Sequence, residues 1–76
     1  MISAKAARDI TDIARSFHAN GYAEQLDRII RSTAKSGNNR ALVVLPDTIV
    51  EFAITFLSAR GYNAESVGFG IVDISW

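Results

Sequence analysis

Few residues in this chain could do chemistry. His18 is its single imidazole, and it contains no cysteine. One histidine cannot complete the four-ligand set of a structural zinc site, so no metal and no cofactor are expected. Asp9 and Asp12 stand three apart, neighbours on a helix, where paired-carboxylate chemistry could be built. Arg8 and Arg15 flank them, however, and interleaved charge marks a solvated face. Gly68-Phe69-Gly70 resembles a fragment of a phosphate loop. No helix follows it to present its amino terminus to an anion, so a hairpin turn is expected instead. None of the serines lies in a Gly-x-Ser-x-Gly elbow, and no histidine is placed to activate one. Catalysis needs polar groups converging in a pocket; no catalytic residue is assigned, and an enzyme is not expected.

The remaining candidates are basic. Arg8 and Arg15 fall two turns apart on the first helical segment, while Arg28, Arg31 and Lys35 line one side of the second. Arg8, Arg15, Arg28 and Arg31 are therefore the candidate binding residues for a phosphate group or an acidic partner. Asp9, Asp12, Glu24 and Asp27 lie among them and offset their charge. Eight basic and eight acidic residues give a net charge of zero. Such a chain lacks the phosphate-neutralising surplus of a dedicated nucleic-acid binder.

The elements that would position these residues can be read in order. Ser3 can cap a helix through about Asn20, with Ala6, Ile10, Ile13, Ala14 and Phe17 along one face. Gly21 supplies the left-handed residue that ends it. A second helix, about Ala23 to Lys35, carries Leu26, Ile29, Ile30 and Thr33 as its apolar stripe. Its charged face runs from acid to base, as the helix dipole favours. Ser36-Gly37-Asn38-Asn39 is a stop. Arg40 to Leu45 reads as a strand, and its unbroken apolar run predicts burial on both faces. Thr48 and Glu51 fit a capping box at the head of a third helix, about Thr48 to Arg60. That helix is apolar almost all round, so it must pack on more than one side. Asn63 to Val67 is a short polar strand, and Ile71 to Trp76 returns from it, with Val72, Ile74 and Trp76 on one face. Phe17–Tyr22 and Leu57–Tyr62 echo one another because each is a helix end with glycine and then an apolar residue.

The fold class is thus α+β, a single domain over residues 1–76. Two helices precede β-α-β-β, giving a three-stranded mixed sheet of the split βαβ kind with helices on one face. The first and second strands should be parallel, through a right-handed crossover. The polar second strand suits an edge, and the apolar third suits the middle, for a spatial order first–third–second. A chain of 76 residues buries only about 60% of its unfolded surface, yet 49% of its residues are hydrophobic. Apolar surface is left over, and a homo-oligomer is expected. No apolar run approaches the roughly 20 residues that span a bilayer, and Met1-Ile2-Ser3-Ala4-Lys5 lacks the core of a signal peptide. A cytoplasmic protein with no membrane partner is expected.

Three segments carry a resemblance. Ile2-Ser3-Ala4-Lys5-Ala6-Ala7-Arg8, Gly61-Tyr62-Asn63-Ala64-Glu65 and Ile74-Ser75-Trp76 resemble a loose group of small accessory proteins of tailed bacteriophages. Those chains also resemble this one in the order two helices, strand, helix and hairpin. The resemblance implies a viral protein in the host cytoplasm that acts by binding a host or viral protein rather than by chemistry. It brings no catalytic residues with it. Two alternatives stand beside it: a structural component of a virus particle, and a binder of a phosphorylated ligand or nucleic acid at a subunit interface.

Overall fold

In the computed structural model, which describes residues 1–76, the Ser3 hydroxyl accepts the Ala6 N–H at 3.1 Å from an extended backbone. Losing such a cap costs about 1 kcal/mol. The helix it opens, α1, spans Ala4–Ala19, and α2 spans Tyr22–Lys35. Between them Gly21 sits at φ 72°, closing one helix while its carbonyl accepts the Gln25 N–H of the next at 3.0 Å. The Phe17 and Tyr22 rings meet across this corner with centroids 6.0 Å apart. At the other matching corner Tyr62 donates to the Leu57 carbonyl and Gly61 to that of Ser58, the paired bonds of a glycine-terminated helix.

Strand β1 covers Arg40–Val44, helix α3 Asp47–Ser58, β2 Asn63–Gly68 and β3 Ile71–Ser75. The sheet order is β1-β3-β2, so the most buried strand lies in the middle. β3 pairs antiparallel with both neighbours, setting Val43 opposite Val72 and Ala64 opposite Ile74. The outer strands therefore point the same way, but the expected mixed sheet is antiparallel in every hydrogen-bonded pair, because β3 separates the two parallel strands. Bonds beyond the strand ends extend the β1–β3 ladder: Leu45 donates to the Gly70 carbonyl at 2.6 Å and Trp76 to that of Asn39 at 3.0 Å.

Helices α2 and α3 pack on the sheet, while α1 packs on α2 and α3 as an outer layer. The all-round apolar composition of α3 is thereby explained, with the sheet on one side and α1 on the other. Phe17 is the pin. It is fully buried, and its ring lies 4.9 Å from that of Phe52 and 5.0 Å from that of Phe56. Arg60 folds back over the Phe56 ring at 3.6 Å. Val72 and Ile74 are likewise wholly buried, in one core cluster with Val43, Leu45, Ile49 and Leu57.

Two expectations need correction. The capping box does not form: α3 starts at Asp47 behind Pro46, with no side-chain cap, so Thr48 lies inside the first turn rather than at its cap. β1 is not buried on both faces, since Leu42 is 65% and Val44 75% exposed; helices cover only one side of the sheet. On α1, which packs against α2 and α3, only Phe17 of the apolar stripe is fully buried, and Ile10 is half exposed.

Two consequences can be measured. Deleting Ile74-Ser75-Trp76 takes the centre out of the sheet and should abolish the cooperative thermal transition; a truncated chain that still melts cooperatively would place β3 outside the core. Gly70 sits at φ 69° with no room for a Cβ beside the Leu45 carbonyl. Gly70→Ala should cost at least about 1–3 kcal/mol in denaturant unfolding, whereas Gly37→Ala, at φ 86° but in open space, should cost only its backbone strain.

Candidate functional site

Alternation along the strands sends Arg40, Leu42 and Val44 of β1, Ile71, Asp73 and Ser75 of β3, and Asn63 and Glu65 of β2 to the sheet face that no helix covers. This face has two halves. Leu42, Val44 and Ile71 make one half apolar, and Val67 is exposed beside them. The other half is charged. Asp73 is only 6% exposed despite lying on the open face. Its cross-strand neighbours are Leu42 and Glu65, and Arg40 reaches it diagonally from the end of β1.

The contact is a two-pronged one. Arg40 Nε donates to both carboxylate oxygens, at 2.9 and 3.0 Å, and Nη2 donates to Oδ2. The hydrogen bonds from Arg40 hold the Asp73 carboxyl below its ordinary range, outweighing the desolvation that pushes it up. Asp73 in turn raises the Arg40 guanidinium, with a smaller contribution from Glu65. Neither residue stood out in the sequence, where they lie 33 positions apart. The available signal was an acid inside an otherwise apolar strand, and only the β1–β3 register reveals its partner.

A second feature lies on the opposite side of the sheet. A groove of about 760 Å³ runs between α1, α3 and the β2–β3 hairpin. Its apolar lining includes buried Val50, half-buried Ile13, Phe52 and Ile54, half-exposed Ile10, and Phe69 at the hairpin tip. Phe69 is 95% exposed and so contributes almost nothing to the core. Asp47 and Glu51 also line the groove, and no lysine or arginine does. The groove is apolar inside and acidic at its rim.

The arginines singled out from the sequence are all exposed. Arg31 bonds Asp27 Oδ2 at 2.7 Å through Nε, one turn apart on α2, a surface pair worth a few tenths of a kcal/mol. Arg28 and Arg31 share a shallow hollow with Glu24 and Asp27. Arg8 and Arg15, on α1, line neither that hollow nor either larger cavity. His18 packs edge-on against Phe17 at 5.4 Å. Gly68-Phe69-Gly70 is the hairpin connection, and no helix follows it. No helix is long and apolar enough to cross a membrane.

Comparison with known proteins finds no family model, no curated protein and no solved structure that matches this chain.

The ion pair makes stability depend on pH in a defined direction. A depressed carboxyl stabilises the fold fully above the ordinary aspartate value of about 3.9, and that contribution fades as the pH falls through the folded value. Asp73→Asn should therefore melt below the wild type at neutral pH, with the gap closing under acid. A gap of constant size from neutral to strongly acid solution would mean that the Asp73 charge is not what stabilises the sheet.

Proposed function

We propose that this chain is a non-enzymatic protein-interaction module that takes a segment of another protein into the groove between α1, α3 and the hairpin. The observation that carries this reading is Phe69, an almost fully exposed aromatic held on a hairpin tip beside an apolar groove it helps to line. An aromatic in that position adds little to folding, but burial against a partner is worth about 1.5–3 kcal/mol, and such anchors dominate protein interfaces.

The groove also indicates what would fill it. A trough between two helices and a hairpin suits an amphipathic helix laid along its apolar lining. Asp47 and Glu51, with no cation among the lining residues, favour a segment whose apolar stripe is flanked by lysine or arginine. The resemblance to tailed-phage accessory proteins makes a host or viral protein the natural partner, and the same docking would serve within a virus particle.

Affinity capture from host lysate tests this with two variants, both at exposed positions. Wild type should retain a partner, identified by mass spectrometry, that Phe69→Ser and Glu51→Lys each lose at least tenfold. A partner retained equally by all three proteins, or by none, would overturn the reading.

A further inference from the structure

The two edges of the sheet are not alike. β2 is a defended edge: its register shifts between Ser66 and Gly68, and the Ser66 hydroxyl turns in to the Gly68 carbonyl. Glu65 sits at its middle, so two copies of β2 would bring like charges together. Bulges and charges of this kind block strand addition. β1 has neither device. Its five residues, Arg40-Ala41-Leu42-Val43-Val44, pair in unbroken register with β3, and no backbone bond reaches the strand from its other side. Its outward N–H and C=O groups are free, and Leu42 and Val44 are its exposed side chains.

We infer that β1 pairs antiparallel with β1 of a second copy across a two-fold axis at Leu42, joining two three-stranded sheets into one of six strands. Residues facing each other across a ladder must lie on the same face. Full overlap of the five residues then sets Leu42 opposite itself and Arg40 opposite the partner's Val44. Both pairs lie on the open face, while Ala41 and Val43 meet on the helix-covered face and continue the core. The two Arg40 side chains end at opposite ends of the ladder, each neutralised by its own Asp73. Pro46, which has no N–H to donate, stops the pairing just past the strand.

Charge on the neighbouring helix fits the same axis. α2 packs on β1 and runs from acid to base, Glu24 and Asp27 before Arg31 and Lys35. A two-fold that makes the strands antiparallel makes the two α2 helices antiparallel as well. The acidic start of each is then turned toward the basic end of the other. A second copy thus satisfies the backbone edge and the apolar side chains together. It also brings Glu24 and Lys35 of the two α2 helices toward opposite charge, while Asp27 and Arg31 stay paired within their own helix. This interface does not include the groove residues.

The test is the mass of the full chain in solution, by light scattering on a sizing column. Wild type should run at twice the 8.3 kDa chain mass. Leu42→Lys and Leu42→Glu should each be monomeric, since each sets like charges against one another at the axis, and mixing the two should restore a dimer. Val44→Lys, which faces the partner's Arg40, should also be monomeric, whereas Val67→Lys and Phe69→Ser should stay dimeric. Circular dichroism of each variant checks that it is folded. A monomeric wild type, a Leu42→Lys and Val44→Lys pair that both remain dimeric, or a lysine–glutamate mixture that fails to reassociate would overturn the inference. Because Phe69→Ser leaves β1 intact, loss of groove binding and loss of the dimer are read separately.

Discussion

β3 has a strand on each side and α3 beneath it, so every other layer of the fold is held directly or indirectly through it. The sheet is covered on one face only, by α2 and α3, so alternate residues of β3 face different surroundings. Val72 and Ile74 go into the core without residual exposure, and they connect β1 and β2 to the helices. α1 adds an outer layer that is pinned through Phe17 to α3. A core of 11 residues can hold three helices and a sheet because each layer meets its neighbour through a few large side chains.

The same one-sidedness accounts for where the apolar excess goes. A chain this short has more apolar residues than interior positions. Apart from Met1 and Ile2 ahead of α1, the surplus gathers at Leu42 and Val44 on the edge strand, at Val67 and Phe69 toward the hairpin, and at Ile10 along the groove. Each of these places borders a surface that the fold leaves uncovered. Asp73 shows the converse solution, a carboxylate nearly buried on the open face and made tolerable by the Arg40 fork. Such a charge would be costly without its partner, so the pair also fixes β1 against β3 in one register.

Much of the architecture was legible in local chemistry. Ser3 and Gly21 mark helix ends through backbone needs that no tertiary contact alters. The contrast between polar Asn63–Val67 and apolar Ile71–Trp76 is enough to place the third strand between the other two. What could not be read depends on neighbours distant in sequence. An apolar run looks the same whether it is buried on both faces or left at an edge, and that distinction hid the exposure of Leu42 and Val44. Thr48 and Glu51 have capping-box spacing, but Pro46 takes the cap position two residues earlier. The Arg40–Asp73 pair exists only once a register is chosen, while Arg28 and Arg31, which were visible from the start, stay among the acids of their own helix.

The strand order also sets a sequence of events during folding. α1 and α2 meet through a local corner at Gly21 and can form soon after collapse. β1 is different, because its hydrogen-bonding partner is β3, and the whole of α3 and β2 lies between them along the chain. Closing that distance costs chain entropy before any ladder bond repays it, which is the source of slow folding in sheets with non-local pairing. Until β3 arrives, β1 has two open edges instead of one. In that interval the strand most able to pair with a copy of itself is also the least protected, so crowded, unfinished chains are at risk of aggregating through β1.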